Sequence, residues 1–349
     1  MYKIIGLSVL TLLLNTAVFA QNEKPSGNSN GKPAANQANR NQNNRGQRRY
    51  EVNIVNNSAT ELDSATKKKL DKVFFKVYPA FAQADGYRTK RQVTLELSDK
   101  YDGSISAKAG EIIINRNWLK ENNGKLEKAL MYEFSKNWVS ADTVKKKGYQ
   151  LVFISKYPEL DPQLKQNLID TYFKVYPTLV KTFNKKSTKN VLFVIDTAYG
   201  GVAEASGNRI LFSSKYMKAH STDIDVVTHE TMHIVQGYGY GSGPVWLTEG
   251  IADWVRYRYG VDNIGSKWAL PEYNEKQSYK NSYRITARFF EWLEQKVKPG
   301  LIATLDDQLR KHTYTEQSWT SLTGKTLDEL WADYAKAPAV SLTYSGSAK

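Results

Sequence analysis

From position 50 onward, short apolar runs alternate with longer stretches whose apolar residues recur at three- and four-residue spacing. Leu164, Leu168, Tyr172, Val175 and Leu179 fall on one face of a helix predicted over 161–184. The run 190–195 reads as a buried strand, 201–206 as a short edge strand, and 208–213 as a strand beside it. A further helix is predicted over 222–236, with Ser221 or Thr222 as its cap and Asp223 and Asp225 in its first turn. Gly237, Gly239, Gly241 and Gly243 then make a flexible loop. Pro244 opens another helix, which Gly260 closes. The remainder to about Ala337 is expected to be helical, including 283–297 and 327–337.

The pattern occurs twice. Phe75-Lys76-Val77-Tyr78-Pro79 recurs as Phe173-Lys174-Val175-Tyr176-Pro177, and Leu62-Asp63 as Leu160-Asp161 at the same offset. Val93 to Leu97 corresponds to Val191 to Ile195, and Glu111 to Ile114 to Arg209 to Phe212. A match this long and ordered predicts duplication, each copy running strand, long helix, strand, edge strand, strand, helix.

The segment ahead of the copies is of another kind. Lys3, the apolar run Ile4 to Leu14 and Val18-Phe19-Ala20 read as a secretory signal peptide cleaved after Ala20. Residues 21–49 are rich in Asn, Gln, Gly and Pro, which predicts a disordered linker. The mature protein is thus expected to be secreted or periplasmic, with no transmembrane anchor. Its formal charge of +14 suits a basic surface drawn to acidic envelope or wall polymers. No RNP-type or zinc-finger pattern accompanies that charge, so no nucleic-acid partner is expected. Cysteine is absent, which excludes disulfides, thiol nucleophiles and thiolate metal sites. Any metal must be held by carboxylates and the chain's 4 His.

Two of those His sit in His229-Glu230-Thr231-Met232-His233. Residues four apart share a helix face, so both imidazoles can hold one zinc ion while Glu230 reaches its water as general base. Glu249, on the next helix, is the expected third ligand. Asp253, one turn further on, is positioned to accept the outer N–H of a ligand imidazole, His229 being the expected one. Two His, one carboxylate and an open water position describe a catalytic zinc. His220 and His312 read as surface or capping residues. In the first copy, Tyr132-Glu133-Phe134-Ser135-Lys136 stands where the second has the zinc motif. Both His are missing there, so that copy is not expected to hold metal.

The chain resembles the basic secretory proteins of plants and bacteria, regarded as zinc peptidases of the gluzincin type. The resemblance covers about residues 148–337. It rests on His229 to Gln236, on Glu249-Gly250-Ile251-Ala252-Asp253-Trp254-Val255-Arg256, on Tyr283 with Thr286-Ala287-Arg288-Phe289, and on Leu322-Thr323-Gly324-Lys325 leading into Leu330 to Tyr334. It implies an α+β, zincin-like domain with a mixed sheet over the zinc-binding helix and a helical C-terminal part. The expected layout is a signal peptide (1–20), a linker (21–49), a degenerate copy of the N-terminal half without metal ligands (50–146), a zinc metallopeptidase domain (147–338) and a flexible tail (339–349).

The expected reaction is hydrolysis of a peptide bond in a protein or peptide substrate, with Glu230 moving the proton from water to the leaving amine. Analogy with gluzincins makes Tyr283 the candidate oxyanion donor, with Tyr238 and Tyr240 as rivals. Gly201, Ala203 and Glu204 are the candidate substrate-binding residues. The edge strand can pair with extended substrate, and Gly201-Val202-Ala203-Glu204-Ala205 resembles the aminopeptidase strand that grips a free amine. Endopeptidase and aminopeptidase action both stay open. So do two other classes, a zinc hydrolase on a non-peptide envelope or wall substrate and a non-catalytic basic binding protein.

Overall fold

The computed structural model describes residues 50–85, 90–108 and 110–344. The expected signal peptide and linker lie outside the described residues, as does part of the expected tail. The chain divides into two compact units. One reaches to Thr143 and includes Phe153–Lys156, and the other comprises Val144–Val152 and the described chain from Tyr157 on.

The first unit contains strand β1 (Glu51–Asn57), helix α1 (Ser64–Asp85), strands β2 (Gln92–Ser98), β3 (Ile105–Lys108) and β4 (Glu111–Asn115), and helices α2 (Arg116–Glu121) and α3 (Leu126–Ser135). Its sheet has the order β1-β2-β4-β3, with β1, β2 and β4 parallel and β3 antiparallel to β4. Alternation puts Val93, Leu95 and Leu97 of β2 in the core, while Leu70, Phe74, Val77 and Tyr78 fill it from α1. Phe81 and Phe134 stack at 4.3 Å where α1 meets α3.

Next come β5 (Ser140–Lys146), β6 (Tyr149–Ser155), α4 (Pro162–Thr182), β7 (Asn190–Asp196), β8 (Ala203–Ser206) and β9 (Arg209–Ser213). The sheet order is β5-β6-β7-β9-β8, with β8 an edge strand antiparallel to β9. The boundaries of the two units fall within β5 and within β6. Val191 to Ile195 and Ile210 to Phe212 are wholly buried, as expected of strands covered on both faces. The remaining helices are α5 (Ser214–Ala219), α6 (Val226–Gln236), α7 (Val245–Tyr259), α8 (Tyr283–Lys296), α9 (Leu301–Arg310), α10 (Gln317–Thr323) and α11 (Leu327–Lys336).

Matching positions in the two sheets lie 98 residues apart. Leu95 pairs with Ile112 as Phe193 pairs with Ile210, and Ile105 with Ile114 as Ala203 with Phe212. The hydroxyl of Tyr78 donates to the carbonyl of Lys90, and that of Tyr176 to the carbonyl of Thr188. Asn115 and Ser213 each cap the short helix that follows.

Helix α6 starts later than its pattern predicts. It begins at Val226, and neither Ser221 nor Thr222 caps it. Long-range polar contacts outcompete the helix for both acids of the expected first turn. Asp223 accepts from Arg256 and from the Tyr216 hydroxyl, and Asp225 from the backbone N–H groups of Val261 and Asp262. A separate short helix, α5, occupies the space before it. The stretch 261–278 is irregular rather than helical.

Gly237 ends α6 at φ 53°, its N–H returning to the His233 carbonyl. Glycine adopts this left-handed angle without steric penalty. Helices α7 and α8 approach closely at Gly250. A Cβ there would collide with Thr286, whose Cβ lies 2.9 Å away, and with the Phe290 ring, also at 2.9 Å. Thr286 cannot turn aside freely, because its hydroxyl donates to the Tyr279 carbonyl at 2.6 Å. Gly250→Ala is therefore expected to destabilise the chain by about 1–3 kcal/mol, read as a lowered urea midpoint. Glu291 of α8 adds a buried anchor, accepting from Trp254 Nε1 at 3.0 Å and from Nε and Nη2 of Arg258.

Candidate metal centre

The 3.6-residue helical repeat brings His229 and His233 onto one face of α6, and the glycine loop folds α7 back so that Glu249 meets them. The two Nε2 atoms lie 3.1 Å apart, and each is 3.3 Å from Glu249 Oε2. A tetrahedral ion with bonds of about 2.1 Å separates its ligands by about 3.4 Å, so the triangle has nearly the size a zinc ion needs. Among the described residues, these three form a His/carboxylate group able to share an ion.

The outer nitrogens settle the chemistry of the donors. Asp253 Oδ1 accepts from His229 Nδ1 at 2.6 Å, as the spacing predicts. Gln236 does the same for His233. Its Nε2 donates to the Thr248 carbonyl at 2.9 Å, so the oxygen 2.7 Å from His233 Nδ1 is an acceptor. With both Nδ1 atoms donating, each ring in its neutral form offers its Nε2 lone pair inward. Two lone pairs and a carboxylate then converge, and the cluster needs a positive species among them. The electrostatics agree. Burial opposes charge on His229, but Asp253, Glu249 and Glu230 outweigh it and push its pKa up to about 10. Burial alone would raise Glu249, yet the two imidazoles hold it well below the usual carboxylate range.

Gln236 is a residue of the candidate site that residue type alone does not single out. Its signal was present, three positions beyond His233 on the same helix face. Replacing Asp253 with Asn removes an anionic acceptor and keeps the volume. This should weaken metal affinity about 10–100-fold, measured by competition with a chromogenic chelator.

Glu230 is buried beside the triangle. Burial pushes its pKa up, the two imidazoles work against this, and Glu249 and Glu204 add to the rise. Tyr283 is half exposed, with its ring 6.2 Å from that of His229. Its hydroxyl makes no hydrogen bond among the described residues. The rival tyrosines are placed differently. Tyr238 donates to Asp306 at 2.7 Å, and Tyr240 is fully exposed.

All of these except Tyr240 border one cleft of about 960 Å³, whose other wall includes Val202, Ala203, Glu204 and Ala205. Gly201 precedes β8, and the cleft wall begins at Val202. Glu204 already pairs with Arg209 at 2.7 Å.

A family model described as peptidase of plants and bacteria matches residues 139–334, more than half of the chain, with the His229–His233–Glu249 triangle and the cleft included. The chain belongs to this peptidase family. None of the curated proteins matches it. Among solved structures it is similar to aminopeptidase A of Legionella pneumophila, at 14% identity and TM-score 0.39 over 55% of this chain and 27% of that one. It is also similar to an aminopeptidase N family protein of Idiomarina loihiensis, at 10% identity and TM-score 0.36 over 60% of this chain and 47% of that one. The chain thus spans less than half the length of either.

Proposed function

We propose that this peptidase is a secreted zinc metallopeptidase in which His229, His233 and Glu249 hold the ion. The observation that carries this reading is the convergence of three electron-pair donors, two with fixed outer hydrogen bonds, beside the buried Glu230 in a large cleft. Bound there, zinc would act as a Lewis acid and lower the pKa of a water. Glu230 takes the proton of the attacking water and returns it to the leaving amine. Its raised pKa suits both steps, because a carboxylate nearer neutrality accepts and releases a proton more evenly. The free hydroxyl of Tyr283 donates to the developing oxyanion. Asp253 and Gln236 hold the imidazoles in the ligating tautomer. An intact general base weighs against a merely structural metal.

The edge strand β8 supplies main-chain hydrogen bonds to an extended substrate. Glu204 is engaged by Arg209, which favours a strut over an amine grip and endopeptidase over aminopeptidase action. The shared registers of the two sheets support reading the first unit as a degenerate copy of a zincin-like domain's N-terminal half. Tyr132 and Lys136 stand there in place of the ligands, so it binds no metal.

The test is elemental analysis of the mature chain together with cleavage of peptides acetylated at the N-terminus and amidated at the C-terminus. One zinc per chain and chelator-sensitive internal cleavage are expected. Zinc without cleavage of any peptide would remove the peptidase reading and leave the metal site.

A further inference from the structure

The lining of the cleft carries charge of both signs. Glu230, Glu249 and Asp253 lie among its residues with the two imidazoles, and so do the cations Arg256, Lys267 and Arg284, with Asp223 as the carboxylate beside Arg256. That carboxylate is already committed. Asp223 accepts from Arg256 at 2.6 Å and from the Tyr216 hydroxyl at 2.6 Å. Arg256 is locked in turn, its Nε donating to Asn263 and its guanidinium lying 4.5 Å over the Trp268 ring. The pair is buried and neutral, a brace for the wall.

Lys267 and Arg284 are different. Both are exposed, and among the described residues neither pairs with a carboxylate. The polar contact of Arg284 is a long one, 3.5 Å to the Ala269 carbonyl. Both follow from strained backbone. Lys267 itself sits at φ 54°, and Arg284 comes directly after Ser282 and Tyr283 at φ 66° and 52°. Non-glycine residues keep such angles only where the surroundings over-determine them, and these positions gather at functional sites. The charge of Arg284 is also felt inside the cavity. Burial and Asp223 push the Tyr216 hydroxyl up, and Arg256 and Arg284 both act against that push. Arg284 adjoins Tyr283, which in turn faces His229, so this cationic wall stands next to where a scissile bond would lie.

From this geometry we propose that Lys267 and Arg284 form a carboxylate subsite, so that the cleft selects peptides carrying an acidic group beside the bond it cuts. The inference rests on the peptidase reading and names its substrate class. A guanidinium takes a carboxylate through two parallel hydrogen bonds, and an ammonium adds a second charge. Among the described residues, neither cation has a carboxylate partner to give up. The carboxylate can be an Asp or Glu side chain or the C-terminus of the peptide.

The test uses the full chain carrying Glu230→Gln, which binds without cutting, and isothermal titration with three peptides. One contains Glu and is blocked at both ends, the second has Gln in its place, and the third is the Gln peptide with a free C-terminus. The Glu peptide should bind about tenfold more tightly than the blocked Gln peptide. Adding Lys267→Ala and Arg284→Ala should erase the difference with zinc content unchanged. In the active enzyme, Lys267→Glu with Arg284→Glu should shift kcat/KM from acidic to basic peptides. Tight binding of the third peptide would assign the carboxylate to the chain end. Equal affinity for all three would overturn the subsite. A tenfold preference without cleavage by the wild type would leave the subsite standing and overturn the peptidase reading instead.

Discussion

Glu230→Gln should lower kcat/KM for peptide hydrolysis by about 10³–10⁴-fold and leave the metal in place. The size follows from the two proton transfers assigned to one carboxylate, since general acid–base catalysis typically contributes about 10²–10⁴-fold. Glutamine keeps the shape and accepts no proton. Glu230 is not one of the three residues whose donor atoms converge, so zinc content should match the wild type. The thermal midpoint should not fall, because burial raises the cost of the Glu230 charge and a neutral amide removes that cost. Stopped assays on a fluorogenic peptide, read beside elemental analysis, check both halves. Retained activity would remove Glu230 from the mechanism. Lost zinc would move it into the ligand set.

His233→Ala should empty the site. The triangle then loses one corner, and Gln236 Oε1 loses the ring N–H it faces. Metal content should drop from one per chain to a few per cent, and peptide hydrolysis should fall to background. Stability should change with it. A ligand present at 1,000 times its dissociation constant stabilises the native state by about 4 kcal/mol. The wild type should therefore lose about 10 °C in thermal midpoint when treated with a strong chelator. The variant should melt near the chelated wild type and respond little to further chelator. If both proteins melt alike and both respond to chelator, the ion is held elsewhere.

The cluster of candidate ligands was legible in the sequence because its chemistry depends on residue type and helical spacing, and both are local. His229, His233, Glu249 and Asp253 lie on two consecutive helices joined by a short glycine loop, so few conformations had to be guessed. Helix α4 and strands β7 and β9 came through for a similar reason, since each is long or has a continuous apolar interior. What was misread depends on distant partners. Asp223 and Asp225 look like helix-start residues until Arg256 and the 261–262 backbone claim them. Gln236 carries no charge to single it out, although its spacing does. The cations lining the cleft come from α7, from the irregular stretch after it and from the strained start of α8. No local pattern brings those three together.

The glycine connection between the two ligand-bearing helices has a thermodynamic consequence of its own. An ion held by α6 and α7 closes that connection into a ring, and the entropy of closing a flexible ring grows only with the logarithm of its length, about 0.6 kcal/mol per doubling. The connection is not equally constrained along its length. Gly239 and Gly243 back onto His312 and Leu309, while Tyr240 is fully exposed and Gly241 has open space around it. Extra residues between Tyr240 and Gly241 would lengthen the ring at small cost and disturb no neighbour. The connection between the two helices can therefore change size and sequence while an ion bound by them would keep the same hold.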